Sequence, residues 1–174
     1  MDFAAFTTSI GTSTPVDLTA PLRLYEATVP AEWIDYNGHM NDGRFFQVTS
    51  EAGDHFLRLI GMDADYLTGG HSYFTVESHL GFDAQALLGD QLYATIQLLG
   101  HDEKRLHVFV AVHRADDESL VATGEHMMLH VDTAANKASP AGPEILAALA
   151  EIAAHHALLP APPRAGRSVG APRR

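Results

Sequence analysis

Four strand-like segments between residues 73 and 131 restrict the fold of this chain more than any other feature. They cover residues 73–82, 91–100, 105–114 and 119–131. In the two middle segments apolar residues alternate with other residues, as in strands that bury one face. The short polar turns HDEKR and ADDES separate the last three segments. These three segments therefore predict an antiparallel meander.

One long amphipathic helix is predicted shortly before these strands. Asn41 is its predicted N-cap, Asp42 lies favourably in its first turn, and Gly61 supplies a stop. Apolar side chains recur at helical spacing along the segment NDGRFFQVTSEAGDHFLRLIG, at Phe45, Val48, Ala52, Phe56 and Leu59. The spacing predicts that this stripe packs against the sheet.

The order of elements predicts an α+β fold in which a curved antiparallel sheet covers one long helix. A further strand at residues 22–29 precedes the helix, and an alanine-rich helix at about residues 143–157 follows the sheet. Residues 1–21 predict an irregular lead-in, and residues 160–174, rich in Pro and Arg, predict a flexible tail. An open sheet of about five strands leaves an edge that a second subunit would cover, which favours a homodimer or homotetramer.

The distribution of charge argues against nucleic acid as a partner. The 174 residues carry a formal charge of −11, and all 22 acidic residues lie at or before Glu151. Four of the 11 basic residues lie in the last eleven positions, so the rest of the chain has seven and a charge of about −15. A surface this acidic repels phosphate backbones.

The sequence also argues against a metal site and a membrane partner. The chain has no cysteine, which excludes disulfides and thiolate ligands. His126 and His130 would share a strand face but stand about 13 Å apart, too far for one ion. We recognise no signal peptide in MDFAAFTTSIGTSTP and no membrane-spanning segment, so we expect a cytoplasmic protein.

The loop WIDYNGHMND, residues 33–42, holds the densest group of polar residues. Hydrolysis of an activated acyl group needs a carboxylate near the carbonyl and donors that meet the developing oxyanion. Asp35 supplies a carboxylate six residues before Asn41, where the helix should begin and offer free N–H groups. Gly38 would let a ligand approach the backbone closely. His39 could hydrogen-bond loop groups or a substrate. A loop that only caps the helix uses the same residues, so spacing alone leaves both interpretations open.

The segment DYNGHMNDGRFF resembles the signature of hotdog-fold acyl-CoA thioesterases of the 4-hydroxybenzoyl-CoA thioesterase type. The residues that match this signature are Asp35, Gly38, His39, Asn41 and Phe45. EWIDYNGHMN together with LLGHDEKRLHVF and MMLHVD is similar to the thioesterases of carnitine breakdown, which cleave betainyl-CoA. The resemblance in element order covers residues 22–132, which leaves residues 133–159 as a C-terminal helical extension.

This resemblance implies a hotdog thioesterase, active without metal or cofactor, whose sites lie at the interface between subunits. Asp35 would be the catalytic carboxylate, either as the nucleophile or as the general base. Glu51 is the alternative, since some hotdog thioesterases use an acid on the helix. The residues that would assist are His39 and Asn41, and the backbone N–H groups of Asp42 and Gly43 would bind the oxyanion.

The resemblance also suggests what the pocket binds. A betainyl group is a quaternary ammonium, which aromatic faces attract; the candidate residues are Trp33, Tyr36, Tyr73 and Phe74. The phosphates of CoA call for basic side chains; the candidates are Arg44, Lys104 and Arg105. Each of these residues also fits an ordinary core or surface role. The alternative functions are a thioesterase for an aromatic or medium-chain acyl-CoA, and a hotdog module that binds acyl-CoA without hydrolysing it.

Overall fold

A six-stranded sheet wraps around one long helix in the computed structural model, which describes residues 16–170. The elements in chain order are β1 (Leu22–Thr28), a 3-10 turn (Ala31–Trp33), α1 (Asp42–Leu59), α2 (Ala64–Thr68), β2 (His71–Phe82), β3 (Gln91–His101), β4 (Arg105–Arg114), β5 (Leu120–Asp132), β6 (Lys137–Ala138) and α3 (Pro143–His156). Residues 1–15 of the predicted lead-in and the last four residues of the predicted tail lie outside the described residues.

The strands pair in the order β1-β3-β4-β5-β2, every pair is antiparallel, and β6 adds to β5. The predicted meander of β3, β4 and β5 is confirmed, and all predicted strand bounds agree within two residues. The alternating apolar residues of β3 and β4 are buried on the face towards α1: Leu92, Ala94, Ile96, Leu98, Leu106, Val108, Val110 and Val112. The predicted α+β class is confirmed.

Helix α1 buries the predicted apolar stripe against the concave face of this sheet. Phe45, Val48, Ala52, Phe56 and Leu59 are all less than 5% exposed. Burial of large apolar side chains stabilises a fold by roughly 1.5–3 kcal/mol each, so this stripe is what holds the helix in place. The helix ends as predicted, since Gly61 follows it with a φ of +107°.

A glycine in the sheet lets α1 lie close to β5. A Cβ atom at Gly124 would stand 2.9 Å from two side-chain carbons of Thr49, on α1, and 2.8 Å from His126 Nε2. Real Cβ atoms essentially never approach other atoms this closely. The distance between helix and sheet therefore depends on the missing side chain at Gly124.

Strand β2 forms one edge of the sheet within the described residues. It is 12 residues long and exposes three large apolar side chains: Phe74, Val76 and Phe82 are 47%, 57% and 52% exposed. A bulge between Thr75 and Glu77 interrupts its pairing with β5. Long apolar edges of this kind are templates for pairing with another chain.

Two short features were not predicted. No element is predicted between the long helix and the first segment of the sheet, yet α2 forms there, because the Asp63 carboxylate accepts a hydrogen bond from the Tyr66 N–H (2.9 Å) and caps a single turn. β6 adds two residues to β5. No helix within residues 16–170 is both long and apolar enough to cross a membrane.

Residues 160–166, which we call the C-terminal strap, run across the outer face of the sheet. Gln97 Nε2 donates to the carbonyl of Pro160 (3.2 Å), and the Gly166 N–H donates to Glu125 Oε2 (2.7 Å). Phe109 is only 6% exposed although it points away from α1. The strap belongs to the segment predicted as a flexible tail, and composition alone could not reveal its partners on the sheet.

Candidate active site

The loop before α1 folds back on itself and brings Asp35 beside the start of the helix. The Asp35 N–H donates to the carbonyl of His39 (3.0 Å), and the Gly38 N–H donates to the carbonyl of Asp35 (3.0 Å). Gly38 has a φ of +82°, a conformation that strains residues with a side chain. The Asn41 N–H donates to the carbonyl of Trp33 (2.9 Å) and closes the loop.

The first turn of α1 leaves one of the two predicted oxyanion donors free. The Gly43 N–H donates to the side-chain oxygens of both Asn41 (2.9 Å) and Asp42 (2.8 Å). The Asp42 N–H has no acceptor among residues 16–170. Free N–H groups at a helix N-terminus carry partial positive charge. The Asp42 N–H is therefore the group that can meet a developing oxyanion.

The Asp35 carboxylate is partly exposed and only partly hydrogen-bonded. Its Oδ1 accepts a hydrogen bond of 2.8 Å from the Asn37 N–H. Its Oδ2 receives none from the described residues. One oxygen is thus oriented by the loop, and the other can meet a water molecule or a thioester carbonyl.

Asp35 and Asp42 line a cleft of about 510 Å³ between the loop and the end of β2. The loop and α1 contribute Asp35, Tyr36, Asn37, His39, Met40, Asn41, Asp42 and Phe45, and the opposite wall consists of Phe82, Asp83, Ala84 and Gln85. The structure therefore brings together the predicted residues Asp35, Tyr36, His39, Asn41 and Asp42. Three of the lining residues are acidic, and none of them is Lys or Arg.

Hydrogen bonds from distant parts of the chain hold the wall formed by residues 82–85. The Asp83 N–H donates to the carbonyl of Val121 (2.9 Å), and Arg114 Nη2 donates to the carbonyl of Gln85 (2.6 Å). The Met40 N–H donates to the carbonyl of Ala86 (2.8 Å) and joins the wall to the loop. The width of the cleft thus depends on contacts from the loop, β4 and β5.

The four aromatic residues predicted for the acyl pocket lie in different places. Tyr36 lines the cleft and is 95% exposed. Trp33 packs against the core, and Tyr73 is buried with its ring 5.0 Å from that of His130. Phe74 is half-exposed on β2. Within one chain, only Tyr36 of these four lines the cleft.

Two aromatic residues in the cleft were not among the predicted ligand contacts. The rings of Phe45 and Phe82 meet edge to face with centroids 5.7 Å apart. Phe45 was predicted as part of the buried stripe, and 4% exposure confirms this. The sequence predicts Phe82 only as the last residue of a strand. No local pattern links it to the loop at residues 33–42, which lies 40 or more residues earlier.

The three basic residues predicted to bind CoA are also separated. Arg44 follows Asp42 by two residues and donates from Nη1 to Gln47 Oε1 (2.9 Å). Lys104 lies in the turn between β3 and β4, and Arg105 begins β4; this turn is near the start of β2 rather than its end. The register aligns this turn with Phe74, eight residues before Phe82, so at about 3.3 Å per residue the turn lies roughly 25 Å from the cleft of the same chain.

Glu51, the alternative catalytic acid, lies on α1 about 13 Å along the helix axis from Asp42. It is not among the residues that line the cleft. Its surroundings include Tyr25 on β1: burial, together with the nearby Glu51 carboxylate, raises the pKa of Tyr25. The geometry therefore favours Asp35 over Glu51 for chemistry in this cleft.

Two buried histidines lie on the face of β5 that α1 covers. His126 is 1% exposed, its Nδ1 stands 2.8 Å from Ser78 Oγ, and burial lowers its pKa to about 4. His130 stands 2.7 Å from the hydroxyl of Tyr66, and burial lowers its pKa as well. Both are uncharged at neutral pH. Among the described residues, no three His, Asp or Glu side chains form a group that could hold a metal ion.

Residues 29–149 match the family model of the thioesterase-like superfamily. The chain is 48% identical over 158 residues to the L-carnitine dehydrogenase/betainyl-CoA thioesterase of Rhizobium meliloti, a match that covers 91% of this chain and 32% of that protein. It is 39% identical over 152 residues to the betainyl-CoA thioesterase of Pseudomonas aeruginosa, covering 87% of this chain and 96% of that protein. The chain thus spans about a third of the two-activity relative and nearly all of the shorter one.

Solved structures show the same architecture. A candidate thioesterase from Pseudomonas putida KT2440 superposes with a TM-score of 0.77 at 35% identity, covering 88% of this chain and 99% of that one. A Staphylococcus aureus protein in complex with CoA superposes with a TM-score of 0.81 at 22% identity, covering 92% and 100%, which shows a shared fold. The predicted fold and family are confirmed: the chain is a hotdog-fold member of the thioesterase-like superfamily.

Proposed function

We propose that this protein hydrolyses betainyl-CoA to glycine betaine and CoA, with Asp35 as its catalytic carboxylate. One juxtaposition carries the proposal: the Asp35 carboxylate and the free Asp42 N–H line the same cleft. Thioester hydrolysis needs these two groups on one carbonyl. The names of the relatives from Rhizobium meliloti and Pseudomonas aeruginosa supply the substrate.

In the proposed reaction the thioester oxygen accepts a hydrogen bond from the Asp42 N–H. Asp35 Oδ2 then attacks the carbonyl carbon, CoA leaves as the thiolate, and water hydrolyses the mixed anhydride. In the alternative route Asp35 removes a proton from a water molecule that attacks the carbonyl directly. His39 lines the cleft and can hydrogen-bond that water. Asn41 holds the first helical turn through the Gly43 N–H.

The side chains of the cleft support a cationic acyl group. Tyr36, Phe45 and Phe82 present aromatic surface, and Asp42 and Asp83 add negative charge. A quaternary ammonium cannot donate hydrogen bonds, so aromatic faces and carboxylates are the groups that attract it. A neutral acyl chain would gain nothing from the two carboxylates.

The proposal includes a homodimer formed through the edge of β2. Antiparallel pairing of β2 with a second copy would place the start of the partner's β2, with Tyr73 and Phe74, beside the end of this β2 at the cleft. It would also bring the partner's turn with Lys104 and Arg105 to the same end. The apolar exposed edge supports such pairing. In this arrangement the predicted acyl and CoA residues would come from two subunits.

The first test is release of CoA thiol from betainyl-CoA, acetyl-CoA, octanoyl-CoA and benzoyl-CoA. We expect wild type to prefer betainyl-CoA, and Asp35→Asn to lower kcat by roughly 10²–10⁴. Asp54→Asn makes the same chemical change at an exposed position on α1 and serves as the matched control. Glu51→Gln tests the alternative acid.

Each other outcome supports a different function. Loss of activity in Glu51→Gln alone would move the catalytic role to Glu51. Preference for benzoyl-CoA or octanoyl-CoA would indicate an aromatic or medium-chain thioesterase. Binding of all four thioesters without thiol release would indicate a binding module. Label found in Asp35 after a single turnover in ¹⁸O-water would establish the anhydride route, since the general-base route places label only in glycine betaine.

A further inference from the structure

An ion pair links the C-terminal strap to the wall of the active-site cleft. Arg164 of the strap pairs with the carboxylate of Asp83. The guanidinium crosses the outer face of β2 at Gly81, where a Cβ atom would stand 3.3 Å from Arg164 Nη1. Arg164 also lines a second cavity, of about 320 Å³, between the strap and the sheet. The pair therefore separates that cavity from the cleft.

This pair affects the charge of the cleft. Three acidic residues, Asp35, Asp42 and Asp83, line the cleft. Of these three, only Asp83 has an ion-pair partner among residues 16–170. The two side chains are partly buried, 33% exposed for Arg164 and 20% for Asp83. Partly buried opposite charges are screened less than surface charges, so Arg164 offsets much of the Asp83 charge.

We propose that Arg164 is a specificity-determining residue that sets how strongly the cleft prefers a cationic acyl group. The inference rests on the proposed function. Betainyl-CoA and glycine betaine carry the same trimethylammonium group, so a stronger cation site would bind substrate and product alike. Uniform binding does not accelerate the chemical step and slows product release. Because Arg164 offsets Asp83, the cleft attracts the cation without retaining it.

The test compares kcat/KM for betainyl-CoA with that for 3,3-dimethylbutanoyl-CoA, its neutral isostere. The ratio cancels effects that do not depend on the charge of the acyl group. Arg164→Gln removes a positive charge and leaves Asp83 unpaired, Asp83→Asn removes a negative charge and leaves Arg164 unpaired, and the double variant restores a neutral pair. We expect the ratio to rise about threefold to fivefold in Arg164→Gln, to fall by a similar factor in Asp83→Asn, and to return close to wild type in the double variant.

Two controls isolate the pair. Arg167→Gln removes the same charge from an exposed position just beyond the strap, and Arg164→Lys keeps the charge; both should leave the ratio unchanged. A purely structural role predicts that Arg164→Gln, Asp83→Asn and the double variant all lower activity on both substrates and leave the ratio unaltered. That result, or a fall of the ratio in Arg164→Gln, would overturn the inference.

Binding of glycine betaine, followed by NMR titration, tests the charge effect without turnover. We expect tighter binding in Arg164→Gln and weaker binding in Asp83→Asn. If wild type hydrolyses neither thioester but these affinities change as expected, the proposed function fails and the role of Arg164 in cation binding stands. Equal affinities in the three proteins would remove that role, whatever the activity.

Discussion

Asn41 Oδ1 accepts a hydrogen bond of 2.9 Å from the Gly43 N–H at the first turn of α1. The backbone N–H of Asn41 donates in turn to the carbonyl of Trp33. Asn41 thus joins the loop that carries Asp35 to the helix that carries the free Asp42 N–H. The helix cap and the position of the proposed oxyanion donor therefore depend on the same residue.

We therefore expect Asn41→Ala to lower the free energy of unfolding by about 1 kcal/mol and to lower kcat as well. The cap is lost, and the Asp42 N–H is no longer held beside Asp35. Asn41→Ser keeps a capping oxygen and should retain most of both properties. Urea unfolding and thiol release from betainyl-CoA measure the two effects. Equal behaviour of the Ala and Ser variants would contradict the prediction.

Gly38→Ala should lower stability by roughly 1–2 kcal/mol, because a φ of +82° puts a side chain in the left-handed region. No atom lies within 4 Å of the added Cβ, so the cost comes from backbone strain alone. Gly100→Ala is the matched control, since it also adds a methyl group to open space without a positive φ. Thermal unfolding of the two variants should differ; identical midpoints would show that the turn tolerates a side chain.

Gly124→Ala should destabilise the fold by about 1–3 kcal/mol, through overpacking rather than strain. The new methyl group would lie 2.9 Å from Thr49 side-chain carbons and 2.8 Å from His126 Nε2, so α1 or β5 must move. Urea unfolding checks the magnitude against Gly100→Ala. A stability equal to that of the control would mean that the helix lies farther from β5.

Because of His126, the free energy of unfolding should fall as the pH decreases from about 6.5 to about 4. Burial lowers its pKa from 6.5 to about 4, so in this range the unfolded chain binds a proton that the folded chain does not. The contribution is fully present above pH 6.5, and the loss amounts to about 3 kcal/mol. His130 and His156, whose pKa values burial also lowers, change stability in the same direction.

Urea unfolding between pH 7 and pH 4.5 tests this dependence in wild type and in His126→Asn. The variant cannot bind this proton. The pH dependence of its free energy of unfolding should therefore be smaller by about the contribution of one bound proton. His130 and His156 remain in the variant and account for the dependence that stays. A pH profile unchanged by the substitution would show that His126 is accessible to protons in the folded state.

Val76→Lys should dissociate the proposed dimer and lower activity, because a lysine on an edge strand opposes pairing with another chain. Val76 is 57% exposed on β2. Leu88→Lys makes a similar change at a 62% exposed position outside the strands and should leave the assembly intact. Sedimentation velocity measures the mass of each variant. A monomeric wild type with full activity would contradict the role given to the β2 edge.

The sequence alone determined α1, the strands β3 and β4 and the loop before α1, because their patterns involve residues that are close together in the chain. The spacing of Phe45, Val48 and Phe56 requires a helix with one apolar face, and the alternation in β3 and β4 requires strands with one buried face. Asp35 and Asn41 are six residues apart, so a short turn suffices to bring them together. For the same reason the loop and the helix cap could be predicted, and Asp35 could be named as the candidate carboxylate.

Only the tertiary structure decided the other wall of the cleft and the arrangement of charge behind it. Phe82 and Asp83 reach the loop because β2 pairs with β5, a register that long-range burial selects and no local pattern encodes. Tyr73 and Phe74 are neighbours in sequence, yet one is buried and the other half-exposed, since successive side chains of a strand point to opposite faces. Arg164 meets a carboxylate 81 residues earlier only because the strap crosses the finished sheet.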